Sequence, residues 1–329
     1  MTTSLITGGR GFIGANLAQY LAKKGEFVKL LNRPGSSISN EIKNNPNIEV
    51  VSGDITDLNS LVEASKNCNQ IYHLAAFAKP WAKDLSTFER VNIEGTENVL
   101  KAAQANQISN IVITSSAGTF GPQQDENPVT EKTIPRSLFT EYERTKFKSV
   151  EHCKTYLDLG MNIRFVSPTR VFGPGELSTS NAVTKLIRDY AKGTFRFLPG
   201  DGNGIGNYAF ISDVVEGHHL AMQHGQKGEN YILGGENLSY REFFNLVGLV
   251  CGTRRKMIGF PIPIMLGASK AMEFLADTTG IEPVITPPFV RKYTHNWATD
   301  LSKAQEELGY KITTAEEAIR ITYNWLTEL

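Results

Sequence analysis

Between Thr7 and Gly14 the chain reads Thr-Gly-Gly-Arg-Gly-Phe-Ile-Gly, and few stretches this short restrict a fold so tightly. Before it, Ser4-Leu5-Ile6-Thr7 is apolar and β-prone; after it, Leu17 and Leu21 punctuate a run rich in Ala, Leu and Lys that favours a helix. The segment therefore reads as strand, glycine turn, helix. Gly8 permits the turn, Gly11 lets backbone N–H groups approach a pyrophosphate, and Gly14 lets the helix pack on the strand. The helix N-terminus adds unpaired N–H groups and a partial positive charge. In this context the motif predicts a dinucleotide site, which Phe12 and Ile13 share with the glycines.

The strands that follow place the rest of that site. A second strand, Phe27–Leu31, ends at Asn32-Arg33, where such a fold meets the adenosine ribose. An acid there would favour a free 2′-hydroxyl; Arg33, with Asn32 and Ser36 beside it, favours a 2′-phosphate, so NADP(H) is expected, with NAD(H) or a flavin left open. A third strand, Ile48–Val51, leads to Asp54 and Ile55; Asp54 could cap the next helix, though Asp57 is better placed to do so. The fourth, Gln70–Leu74, runs into Ala75-Ala76, whose small side chains leave room for the nicotinamide end of a cofactor. His73 reads as a hydrogen-bonded core residue. The loop from Phe77 through Trp81 to Lys83 is unusually aromatic and reads as a substrate wall.

A helix is predicted from about Thr87 to Ala105, holding Asn92 and a mid-helix Gly95 that only close packing would justify. After a fifth strand, Asn110–Thr114, comes Ser115-Ser116, and then Tyr142 and Lys146 on a helix predicted over Glu141–Tyr156. Four residues apart, they share a face, and an ammonium beside a phenol would lower its pKa for acid–base work. Ser116 could hydrogen-bond a substrate oxygen. A sixth strand, Asn162–Val166, precedes Pro168, Thr169, Val171 and the turn Gly173-Pro-Gly.

With the Thr7–Gly14 turn, the Leu74-Ala-Ala strand end, Val91-Asn-Ile-Glu-Gly-Thr, Ser115–Gly121, Tyr142-x-x-x-Lys146 and the ending Asp300-Leu-Ser-Lys-Ala through Tyr310, the sequence resembles the extended short-chain dehydrogenase/reductases over nearly its whole length. Within them it is most similar to dihydroflavonol-4-reductase-like and 3β-hydroxysteroid-dehydrogenase-like members. The resemblance implies a doubly wound parallel α/β sheet of Rossmann type with a smaller α/β substrate lobe. Residues 1–175 and 207–228 would form the first, with part of the C-terminal region; 176–206 and 229–329 would mainly form the second. It implies Ser116, Tyr142 and Lys146 as catalytic residues, with Ser115 and Thr119 weaker candidates for the serine. Asp54 would receive the adenine amino group, Asn92 would order the site, and Pro168-Thr169 would close over the nicotinamide. Gly8, Gly11, Gly14, Leu74, Ala75, Ala76, Thr114 and Val171 complete the expected cofactor wall. Phe77, Trp81, Ser116, Phe172, Phe197 and Tyr208 are the substrate-facing candidates, and a homodimer through the Asn92 and Tyr142 helices is implied.

Composition excludes other classes. Basic and acidic residues each number 34, so nothing calls for a nucleic-acid partner. Cys68, Cys153 and Cys251 have neither disulfide-frame nor zinc spacing, as in a reducing compartment. The first strand leaves no room for a leader and Ile258–Met265 is too short to span a bilayer, so a cytoplasmic chain without a membrane partner is expected. No metal site is read.

Three functions share this frame: an NADP(H)-dependent carbonyl or alcohol oxidoreductase, an NAD-dependent nucleotide-sugar epimerase, and an idle NADP-binding regulator. A sugar diphosphate calls for arginine forks, yet Gly206-Asn207-Tyr208 and Tyr293–Asn296 stand where that branch carries arginines, leaving Arg170, Arg188 and Arg291 as substitutes. Ala117-Gly118 replaces the acid pair of a dehydratase. The sequence therefore favours the oxidoreductase, and intact Tyr142 and Lys146 oppose the idle regulator. Phe195 and Phe197 with the Trp81 loop hint at an apolar or ring-bearing substrate.

Overall fold

Alternation of short buried strands with amphipathic helices dictates a sheet covered on both faces. The structure, a computed structural model, describes residues 2–328. Its strands are β1 (Thr3–Thr7), β2 (Phe27–Asn32), β3 (Ile48–Ser52), β4 (Gln70–His73), β5 (Asn110–Thr114), β6 (Asn162–Pro168), β7 (Arg170–Phe172), β8 (Phe197–Pro199), β9 (Ile205–Phe210), β10 (Asn230–Leu233), β11 (Glu236–Ser239) and β12 (Ile258–Phe260). Seven form one sheet in the order β10-β6-β5-β4-β1-β2-β3, each neighbouring pair parallel. Smaller sheets are the mixed β11-β9-β7 and the parallel pair β12-β8. Thus β10, from beyond residue 229, completes the main sheet, while β9 belongs to a small one.

The strand period sorts the core. Ile6, Tyr72 and Val112 point to one face, against Leu17, Leu21 and Val214; Leu5, Ile71, Ile111, Ile113 and Ile163 point to the other, against Val99 and Leu100. The chain builds outward from β1 to β3 and then returns to β4 on the opposite side of β1. At that reversal the carboxyl ends of β1 and β4 splay their loops apart and leave a crevice.

The predicted Asn92 helix forms as Ser86–Glu89, a π-turn over Arg90–Glu94, and Gly95–Ala105. Gly95 earns its place: a Cβ there would lie 2.8 Å from Ile55 Cδ1. Two proline-rich stretches whose composition suggests loops are helical in part. Phe260–Pro263 ends β12 and opens an 18-residue helix, Ile262–Thr279, and Glu282–Phe289 runs into Pro287–Lys292. In both, proline stands in the first turn, where its missing N–H would have no helical partner anyway, so it starts a helix instead of breaking one. The helix Ser302–Leu308 stops at Gly309, φ +70°, a conformation glycine adopts without strain.

His73 and His218 show how the core settles its polar groups. Thr96 gives its hydroxyl proton to the Asn92 carbonyl, so His73 Nε2 must donate to Thr96 (2.9 Å) and Nδ1 accept from Thr7 (2.7 Å). His218 is bound likewise, between the Val214 carbonyl and Thr114 Oγ1. Burial pushes them down to about 3 and about 4 respectively. Below the ordinary value of 6.5 the unfolded chain binds protons that the folded one refuses, so stability is lost as pH falls from 6.5 toward those values. Each histidine should contribute a slope of up to ~1.4 kcal/mol per pH unit. Urea unfolding between pH 7 and 5 should show the decline, and a His218→Gln variant should lose about one histidine's share of it; an unchanged slope in that variant would contradict the assignment.

Candidate active site

The crevice at the reversal is one cleft of about 1820 Å³, running from the β2 end to the C-terminal helices. Its floor is the glycine turn. Gly8 has φ +73°, and a Cβ on it would stand 2.6 Å from the Ala75 nitrogen; one on Gly14 would stand 2.3 Å from the Gly8 carbonyl oxygen. Gly11 caps the helix Phe12–Lys23 with no side-chain hydrogen bond and no acid in its first turn, leaving those N–H groups for an anion. Gly8, Gly11, Phe12, Ile13 and Gly14 all line the cleft. The cradle fits a pyrophosphate.

One end of the cleft is formed by Asn32, Arg33, Ser36, Asp54 and Ile55. Arg33 is exposed and in no ion pair among the described residues. Asp57, not Asp54, caps the helix Leu58–Ala64, while Asp54 Oδ1 takes the Thr56 N–H and hydroxyl. Toward the middle lie Leu74, Ala75, Ala76, Thr114, Pro168, Thr169 and Val171. Thr169 donates to Asn207 Oδ1 at 2.7 Å, so the loop after β6 is tied to β9.

Ser116 and Tyr142 line the same stretch of wall. Ser116 sits at the head of a short 3-10 turn and accepts from Gly118 N–H at 3.2 Å, leaving its hydroxyl proton free; Thr119 is spent on the Ser116 carbonyl. Burial raises the Tyr142 pKa to about 12, the Glu143 carboxylate adds to that, and the Ser116 hydroxyl opposes it. The expected lowering by Lys146 is absent in the chain alone. Lys146 is 1% exposed, its Nζ has no hydrogen-bond partner, and burial lowers it to about 8. Its charge acts on His73 instead.

Asn92 lies behind the wall as a strut. It receives the Phe77 N–H at 2.7 Å, donates to the Phe77 carbonyl at 3.2 Å and to Thr145 Oγ1 at 2.9 Å, so it locks the β4 loop to the Tyr142 helix. Of the substrate-facing candidates, Phe77 and Phe197 line the cleft with Ser116. Phe172 and Tyr208 do not: Phe172 is fully buried against Phe243, and Tyr208 stacks on Phe243 at 4.1 Å, because β7 and β9 turn these side chains into the core. Trp81 is no wall either; its indole donates to Asp277 at 3.1 Å and pins its loop to the helix Ile262–Thr279.

Sequence reasoning passed over Glu143 and Lys292. Glu143 is buried, closes a capping box with Thr140, and pairs with Lys292, which lines the cleft over Trp297. The Thr140-x-x-Glu143 spacing signalled the box; nothing local signalled Lys292, 149 positions away.

A sealed ammonium with no partner works against folding. Lys146→Met should therefore stabilise the cofactor-free protein by ~1–3 kcal/mol in urea unfolding while weakening cofactor binding. A loss of stability would mean that the ammonium has a partner in the free chain.

A protein of Synechocystis sp., provisionally named dihydroflavonol 4-reductase, is 29% identical over 97% of this chain and 93% of its own. The 3-beta-hydroxysteroid dehydrogenase of Mycolicibacterium neoaurum is 27% identical over 99% and 91%. The crystal structure of Thermotoga maritima UDP-glucose 4-epimerase with UDP-glucose superposes with a TM-score of 0.82 at 20% identity, over 99% of both chains, and so shares the fold. Residues 4–234 match the model of the NAD dependent epimerase/dehydratase family. The chain belongs to that family, the extended short-chain dehydrogenase/reductases, and is an NAD(P)-dependent enzyme of the oxidoreductase and epimerase kind.

Proposed function

We propose that the protein is an NADP(H)-dependent oxidoreductase acting on the carbonyl or secondary alcohol of an apolar small molecule. One observation carries this reading: the later segments of the chain wall the cleft with Phe195, Phe197, Leu198, Phe260, Met265 and Phe289, and the arginines lining it, Arg10, Arg33 and Arg90, come from the glycine turn, the β2 end and the Asn92 helix and not from those segments. A sugar diphosphate needs such forks. Arg170 is held between Tyr208 and Tyr240, Arg188 is bridged to Asp189, and neither they nor Arg291 reach the cleft. Asn207 is bonded to Thr169, Gly235 and Asn237 and has nothing left for a ligand.

The glycine cradle, the unpaired Lys146 and the open Arg33 together fit a phosphorylated dinucleotide, which when bound supplies or takes the hydride. In the reducing direction Tyr142 gives its phenolic proton to the substrate oxygen, and Ser116 donates a hydrogen bond to the same oxygen. Lys146, one turn on, holds the ribose hydroxyls and supplies the positive charge that steadies the phenolate left behind.

Tyr142→Phe should cut kcat by ~10²–10⁴ with KM for cofactor nearly unchanged, read as NADPH oxidation with hydrophobic ketones and aldehydes. Unaltered turnover would remove Tyr142 from its role. Arg33→Ala should raise KM for NADPH about tenfold or more and leave that for NADH within a factor of about two. Equal effects on both would return the cofactor assignment to NAD(H).

A further inference from the structure

The helix Ile262–Thr279 wears its apolar residues on the wrong side. Of its 18 residues only Ser269 and Ala276 are buried. Met265, Ala268 and Met272 face the cleft, but Phe274 is 69% exposed and Ile264 and Leu275 57%. The ladder just before it continues the same surface: Ile258 and Phe197 pair across β12 and β8 and are 50% and 49% exposed. Single exposed apolar side chains are ordinary; a ridge of them at the mouth of an apolar cleft is not.

Charge says what the ridge meets. The chain is neutral as a whole, yet segments 188–200 and 251–272 together hold seven lysines and arginines and one acid, Asp189, already bridged by Arg188. Arg196, Arg254, Lys256 and Lys270 stand exposed, with no ion pair among the described residues. Of the nearby acids Asp277 is engaged with Trp81 and Glu282 with Lys79, while Glu273, on the helix itself, is in no ion pair among the described residues and sets one negative charge against the basic set. No described helix is long and apolar enough to cross a membrane, so any bilayer contact is at the surface. A second copy docked here by two-fold symmetry would set this basic collar against itself.

We propose that β8, β12 and the helix Ile262–Thr279 form a platform that rests on an anionic lipid bilayer. Its apolar side chains sink among the acyl chains, its basic collar meets the headgroups, and the cleft mouth opens onto the lipid. This revises the expectation of no membrane partner, which rested on the absence of a spanning run.

The test is flotation of the full chain with vesicles of phosphatidylcholine containing about 30% phosphatidylserine. The protein should float with them, and binding should fall at least tenfold on pure phosphatidylcholine vesicles or in 0.5 M salt. Phe274→Glu with Ile264→Glu should abolish flotation, and Arg254→Glu with Lys256→Glu should weaken it at least tenfold, each with unchanged circular dichroism. No flotation of the unaltered protein would overturn the proposal. So would a dimer in solution that the Phe274/Ile264 pair of substitutions splits, because the ridge would then be covered by a second copy. Flotation needs no turnover, so failure of the reductase reading leaves this result untouched.

Discussion

A buried lysine ammonium with no hydrogen bond to another protein group is an arrangement that folding opposes, and the molecule holds one at Lys146. Lys146 keeps its place because its helix cannot move. Thr140 and Glu143 box its first turn, Asn92 ties Thr145 to the β4 loop, and Glu143 is clamped from the far lobe by Lys292. The Asn92 and Lys292 ties cross between elements remote in sequence, so the place of the ammonium is held by the whole fold.

The glycine turn does the matching work for phosphates. Gly8 and Gly14 are pressed against backbone atoms, which leaves no room for any side chain and fixes where the first helix points its free N–H groups. The cradle, Ser116 and Tyr142 line one cleft at the carboxyl edge of the parallel sheet, with Lys146 buried one turn beyond Tyr142. The proposed cofactor would lie across that edge, with its reactive end toward Ser116 and Tyr142.

Much of this was legible in the sequence because it is local. The six strands from Thr3 to Pro168 announced themselves by apolar runs ended by turns, and Gly95 announced its close neighbour, which proved to be Ile55. What was not legible depends on contacts between distant segments. Phe172 and Tyr208 have the composition of a substrate wall, but the pairing of β7 with β9 turns them onto Phe243. The proline pairs at Pro261/Pro263 and Pro287/Pro288 suggested loops because proline breaks helices in their interiors; position in the first turn reverses its meaning. The pKa of Tyr142 was misjudged for a related reason. Shared helical spacing with Lys146 fixes a common face, whereas burial and the Glu143 carboxylate set the proton affinity of the free phenol.

The account rests on the claim that the Lys146 ammonium and the Tyr142 phenol converge on one bound cofactor. A crystal structure of the protein with NADP(H) measures that directly. It should show Nζ within about 3.2 Å of a ribose oxygen and the nicotinamide beside the phenol. A cofactor whose ring lies elsewhere, or an ammonium still without a ligand atom, would contradict the account.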